Sequence, residues 1–495
     1  MNFKFTKTCI ASLLALFAVT SCAVGYDDDE RFSGGVSNAQ LQSPELSADC
    51  FATITNPDGS ESVKFTWPLV MGAGGYLCNV AVVDDPTSPE YLITDSVVDG
   101  CSVIFERRED TKYSVSVRTL GNPKYNNAEA TETSEFAYST LVPALTIPAG
   151  TEISRFIAEN LAAADGELGF ELLAGETYAL DGTADFGLNT VTFRGSKANR
   201  PTVVVGPQGR ISTQAGLKIK FINFDCSGSN EGGLLVLPDS PDPSISTEAL
   251  GYKAVGANQD GWVINDPVMF QECYVKGLKT SLLYGNKTNW SLRDFRINDC
   301  IVQLNNSSSS SVINLYGASN GLIKDMRIEN STFYNLVENS SAYFLRYSNS
   351  SNAQPQKIFG SNDATTSHTV SHCTFSRTFT NKDFANMMPT VATFSITVDH
   401  SIFYDVFRLY QYFANNTTKK TDYNTICGAN GGAPDNNDLS RRDSNDQPLA
   451  IQDDPQFVGP FTQELDFTKE NGGVNFRPTS PYATQNKIGD PRWFE

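Results

Sequence analysis

The chain has 495 residues, 40% of them hydrophobic and only 19% charged, which supplies cores for two or three domains and excludes a disordered polyelectrolyte. A formal net charge of −19 sets the surface against nucleic acid phosphates and anionic membranes, so nucleic acid is not an expected partner. With three histidines in all, His368, His372 and His400, a multi-histidine metal centre would consume nearly the whole supply, and no metal ligand set is expected.

Lys4 and Lys7 precede an apolar run at 9–19 that is too short to span a bilayer and fits a secretory signal core. It ends in Thr20, Ser21 and Cys22, and small residues before a cysteine resemble a lipobox. The resemblance implies a signal peptide over 1–21 and lipidation of Cys22, whose lipid would hold the protein in the outer membrane. The acidic run at 27–30 resembles the surface-export tag of lipoproteins in Gram-negative polysaccharide-utilisation systems; as a bare composition it reads equally as a solvated spacer. Residues 22–42 are expected to be an acidic linker. No other stretch reaches 18 apolar residues.

Residues 43–140 alternate with period two at 63–67, 75–80 and 113–118, between Gly, Pro and Asp turns, which predicts a small β-sandwich. Trp67 on an early strand and Tyr113, Val115, Val117 and Arg118 on a later one resemble the fibronectin type III module. Between 22 and 149 the chain carries 19 acidic and 7 basic residues, so this domain reads as an acidic spacer without catalytic groups. Cys50, Cys78 and Cys101 could supply one disulfide at most; packing as free thiols is the expectation.

From residue 143 to 495 the pattern changes to that of a solenoid. Ile153, Phe156, Ile157 and Leu161 form one helical stripe with Thr151 available as N-cap, followed by two strands around Gly175. This order resembles the entrance of pectin-lyase-like right-handed parallel β-helices, where a short helix covers the open end. A six-residue pattern then recurs five times: FQECYV at 270–275, INDCIV at 297–302, IENSTF at 328–333, VSHCTF at 370–375 and VDHSIF at 398–403. Its form is apolar, any, polar, Cys or Ser, any, apolar. Strands stacked about 4.8 Å apart superimpose equivalent side chains, so a repeat of this kind specifies coils of a parallel β-helix. The end of the chain, from about 450 to 495, resembles the closing segment of lipid-anchored β-helix proteins from polysaccharide-utilisation systems, many without assigned function. The fold class expected is therefore all-β: a fibronectin type III-like sandwich and then a right-handed parallel β-helix with a short capping helix.

Aligning one strand of each coil on Leu283, Leu315, Leu345 and Leu409 sends Tyr284, Tyr316, Arg346 and Tyr410 outward as a ladder, with Trp290 and Tyr412 extending it. Flat rings and a planar guanidinium suit sugar faces and uronate carboxylates. Residues 270–420 hold 14 Lys or Arg against 10 Asp or Glu, including Lys276, Lys279, Lys287, Arg293, Arg296, Arg327 and Arg346, which would favour an acidic polysaccharide if folding gathers them on one face. The function expected is binding of an acidic, polygalacturonate-like glycan by a surface lipoprotein without a cofactor, alongside partner proteins of a glycan-uptake system. The alternatives are a polysaccharide lyase and an adhesin or structural surface protein. Resemblance to a pectate lyase implies carboxylates holding Ca²⁺ beside a basic residue, for which Asp294, Arg293, Asp325 and Arg327 are the candidates. The paired-aspartate and Gly-His-Gly segments of β-helix galacturonidases are absent. Asp399 and His400 fall in the repeat and read as structural. Asp435, Asn436, Asn437, Asp438 and Asp443 could bind Ca²⁺ or form a polar loop.

Overall fold

A computed structural model describes residues 36–494 except 231, 253–260, 349–350, 352–353, 390 and 410–417. The signal core, Cys22, the acidic run, Tyr410 and Tyr412 lie outside the described residues. The chain divides into two compact units, Met1–Leu141 and Val142–Glu495.

The first unit is a β-sandwich. Phe51–Thr55, Glu61–Thr66 and Ser102–Glu106 form a three-stranded antiparallel sheet; Glu90–Val98, Tyr76–Val82, Lys112–Thr119 and Ser134–Ser139 form a four-stranded one in that spatial order. Alternation decides the core: Tyr113, Val115 and Val117 are buried, while Ser114, Ser116 and Arg118 between them face outward. Trp67 follows its strand directly and packs 5.1 Å from Phe65 and 5.5 Å from Tyr76, centroid to centroid. The Tyr113 hydroxyl accepts the Arg108 N–H at 2.7 Å and donates to the Glu106 carbonyl at 3.3 Å, fastening the corner between two strands of opposite sheets. Cys50, Cys78 and Cys101 are free thiols, and burial pushes Cys78 up to about 11.

The second unit opens with a strand, Ala144–Ile147, and the helix Ile153–Asn160, whose Ile153 and Ile157 are buried. The cap is Glu152, not Thr151. Its carboxylate accepts the Ser154 N–H at 3.1 Å and the Arg155 N–H at 2.8 Å, and also reaches the Asp181 N–H at 3.0 Å, beyond the span of a threonine side chain. The cap therefore ties the helix to the first coil as well as satisfying its end.

The coils build three parallel sheets of eleven, ten and seven strands. One coil contributes Leu168–Leu172 to the first sheet, Thr177–Leu180 to the second and Thr183–Asp185 to the third; the next pairs above it in register with Val191–Arg194, Thr202–Val205 and Arg210–Ser212. This is a parallel β-helix with a continuous apolar core. Equivalent residues stack inside it: Phe333, Phe375 and Phe403 lie 5.2 and 5.1 Å apart with rings within 6° of parallel.

The six-residue repeat occupies the corner between the first and second sheets. Glu272, Asp299, Asn330, His372 and His400 all turn the chain with φ between 42° and 52°. The Cys or Ser that follows is buried and donates to the carbonyl two residues earlier, from Cys300 to Asn298 at 3.2 Å, Ser331 to Glu329 at 2.6 Å and Cys373 to Ser371 at 3.2 Å. Ser331 and Ser401 accept the N–H of Cys300 and Cys373 from the coil before, at 3.0 and 3.2 Å. The same carbonyls also accept a backbone N–H from the coil before, Asn298 from Glu272 at 2.9 Å and Ser371 from Asn330 at 3.1 Å, so the position takes a small side chain that can donate a second bond, which is why it admits Cys and Ser.

After the last strand of the second sheet, Ile451–Gln452, the chain runs back over that sheet's outer face. Leu465, Val474, Phe476 and Trp493 pack on Tyr274, Ile301 and Tyr334. The Trp493 indole N–H donates to Thr332 Oγ1 at 2.8 Å, and the same hydroxyl is 2.8 Å from the buried Asp490 carboxylate. The closing segment thereby covers the second sheet from Tyr274 to Ile402, while Val204 on an entrance strand stays exposed.

Candidate functional site

On the third sheet each short strand turns one side chain inward and the next outward. Leu283, Ile313, Leu345 and Ala385 face the core, and Tyr284, Asn314, Arg346 and Asn386 form the accessible part of the outward row, each in register with the next; beyond Tyr284 the row continues through the buried Val236 and Ser212 to Asp185. The register corrects the expected ladder by two residues: Ile313, not Leu315, lies beside Leu283, and Asn314 takes the rung assigned to Tyr316. Both Ile313 and Leu315 are buried, so a period-two pattern fits either alignment.

Tyr316 lies in the turn past its strand, 43% exposed, and still reaches the row. The Arg346 guanidinium carbon sits 3.5 Å from the centre of the Tyr316 ring and 5.3 Å from that of Tyr343, whose other neighbour is Lys382 Nζ at 5.9 Å. Among the described residues Arg346 has no carboxylate partner, and its Nε is shielded from solvent without a hydrogen bond. Tyr284 lies back over Gly232 and Gly233, where an added Cβ would stand 3.2 Å from its Cδ1 and 3.1 Å from its Cβ. Asn314 Oδ1 accepts the Tyr316 N–H at 3.1 Å. Tyr343, Asn314, Asn386 and Lys382 were not singled out in the sequence; only the register places them here.

Trp290 does not extend this face. It starts the first-sheet strand Trp290–Asn298, is fully buried, and donates its indole N–H to the Pro238 carbonyl at 2.8 Å. Nor does folding gather all the basic residues: Lys276 pairs with Glu464 at 3.5 Å on the closing segment, Lys279 donates to the Ser227 carbonyl, and Arg293, Arg296 and Arg327 belong to the first sheet. Lys287, its stem over Gly317, and Lys382 flank the third-sheet row.

The first sheet brings Asp294 beside Asp325 and Arg296 beside Arg327 on neighbouring strands. Both carboxylates are engaged. Asp294 is bridged by Arg296 through both oxygens, and Asp325 accepts from Ser367 Oγ at 2.6 Å with Lys324 at 3.5 Å. Arg293 donates to Asp363 at 2.6 Å and to the Tyr252 hydroxyl at 2.9 Å, with its guanidinium 4.9 Å from the Phe359 ring, so it fastens two long insertions together. Burial would raise Asp363, but hydrogen bonds from Arg293 and Lys324 prevail and hold it below the usual carboxylate range. Arg327 is exposed.

His372 and His400 stack in the corner ladder, 4.7 Å apart and 4° from parallel; burial, then the neighbouring ring, lowers His372. Asp435 caps the helix Asn436–Leu439 and Asp443 accepts the Asn445 and Gln447 N–H groups, which is cap and turn chemistry, while the buried Asp438 accepts the Leu409 N–H from 29 residues away. Among the described residues no group of three or more His, Cys, Asp or Glu side chains is arranged to hold a metal, and no helix is long and apolar enough to cross a membrane.

Residues 3–179 are similar to DUF4992, a domain of unknown function, and residues 176–336 to DUF4957, likewise a domain of unknown function. The second match includes Tyr284, Asn314 and Tyr316 and ends before Arg346. No curated protein and no solved structure matches the chain.

Proposed function

We propose that the protein is an outer-membrane lipoprotein, anchored through Cys22 and exposed at the cell surface, that binds an acidic pectin-type polysaccharide on the outer face of the third sheet. The observation that carries the reading is Arg346, a guanidinium set against the rings of Tyr316 and Tyr343 with no carboxylate partner among the described residues. Stacking on aromatic rings orients the fork and leaves its donors to a ligand, and a uronate carboxylate offers the matching pair of acceptors. Tyr284, Asn314 and Asn386 continue the row with ring area and amides suited to sugar faces and hydroxyls. The division into three and four strands and the Tyr113 corner support a fibronectin type III-like spacer, and the signal and lipobox residues support delivery to the outer membrane beside proteins of a glycan-uptake system.

The test is native electrophoresis of the mature chain through gels containing polygalacturonate, pectin or a neutral glucan, with and without Ca²⁺, stained afterwards for polymer. Retardation in the acidic gels without clearing, lost in Arg346→Ala, is the expected result; equal mobility in every gel would overturn the reading in favour of a structural or adhesin role. The second reading, a polysaccharide lyase, is favoured by the in-register Asp294 and Asp325 beside Arg327 on the first sheet, and clearing of the acidic gel around the band would establish it.

A further inference from the structure

The outward row of the third sheet has a direction, and the direction restricts the ligand. Tyr284, Asn314, Arg346 and Asn386 come from four successive strands, and the last three strands are only two residues long, Ile313–Asn314, Leu345–Arg346 and Ala385–Asn386. Each strand therefore offers one outward side chain, and a ligand lying along a strand meets one rung. A ligand crossing the strands meets all four, at a spacing of about 4.8 Å per rung. An extended pyranose polymer advances by roughly one such spacing per sugar, so it can match the rungs residue for residue.

The row also has a charge pattern. Among these four rungs Arg346 alone carries a formal charge; the row's other charged member, Asp185, lies beyond the buried Val236 and Ser212. Lys287 and Lys382 stand to the side and are exposed, where water screens most of their attraction. A fully ionised polyuronate would set carboxylates opposite three neutral rungs that cannot offset their desolvation, whereas a chain with one free carboxylate among neutral sugars meets a partner at every rung.

From this pattern we infer that the site takes a sparsely charged glycan laid along the solenoid axis, one sugar per coil, with a single uronate carboxylate on Arg346 and neutral, such as esterified, residues on the other three rungs. The inference rests on the glycan-binding reading above.

The experiment is titration calorimetry of the full mature chain with galacturonides of one to six residues, both unesterified and partly methyl-esterified. Affinity should rise with length up to four residues and then level off, and the partly esterified tetramer should bind more tightly than the unesterified one. Tyr284 is the last accessible rung at its end, because Val236, in register beside it, is buried, so Tyr284→Ala should weaken the tetramer by about three- to tenfold, the worth of one aromatic contact, and leave the monomer unchanged. Affinity independent of length, or equal loss for monomer and tetramer in Tyr284→Ala, would overturn the axial arrangement while leaving glycan binding intact. Tighter binding of the unesterified tetramer would overturn the sparse-charge requirement. Absence of binding by every oligomer would overturn the parent reading with it.

Discussion

Asp490 makes the attachment of the closing segment depend on pH. Its carboxylate is buried against the second sheet, where it accepts from Thr332 Oγ1 and Arg492 Nε, each at 2.8 Å, and from the Arg492 N–H at 3.1 Å. Burial outweighs the adjacent guanidinium and raises the group from 3.8 to about 6. Between those values the native site holds a proton that the released segment gives up, so docking is strongest below about pH 4 and weakens as pH rises through 6. A shift of roughly two units corresponds to about 3 kcal/mol. The assay is hydrogen exchange of amides in residues 454–494, corrected for intrinsic rates and read as an opening free energy from pH 4 to pH 7. Protection should decline across that range in the native chain, and Asp490→Asn should remove most of the slope. An unchanged slope in Asp490→Asn, or greater protection at pH 7 than at pH 4, would refute the reasoning.

Cys273, Cys300 and Cys373 should resist a thiol reagent in the native protein and react after denaturation, since all three are buried and burial pushes the Cys300 and Cys373 thiols well above their ordinary value; mass spectrometry of labelled peptides checks this, and native labelling of Cys300 would contradict its inward placement. Glu152→Ala should destabilise the solenoid entrance by about 1 kcal/mol through loss of the cap, whereas Thr151→Ala should change little; urea denaturation of the two variants separates the two caps.

The residue pattern alone determined the class of fold and its repeat. Five copies of one six-residue pattern can be satisfied only by strands that stack equivalents, and a small donor at each bend gives its own corner carbonyl a second hydrogen bond beside the one from the neighbouring coil, so the local chemistry and the global coil agree. Alternation in 113–118 fixed the sandwich core for the same reason: burial of one face leaves a single choice of sides. What the pattern could not decide was long-range register. Shifting a strand by two residues preserves every inward and outward assignment, so Leu315 and Ile313 were interchangeable until pairing with Leu283 and Leu345 chose between them, and the row of Tyr284, Asn314, Arg346 and Asn386 followed from that choice. Likewise, nothing local distinguishes Trp290 in the core from an exposed aromatic, or marks the second sheet as the one that the closing segment covers. Asp294 and Asp325 lie 31 residues apart in the chain, and only stacking sets them side by side and brings the Ser367 hydroxyl to Asp325, whereas their cations, Arg296 and Lys324, are neighbours in the sequence. Side-chain periodicity is a property of a strand by itself; register and cover are properties of strands against their neighbours.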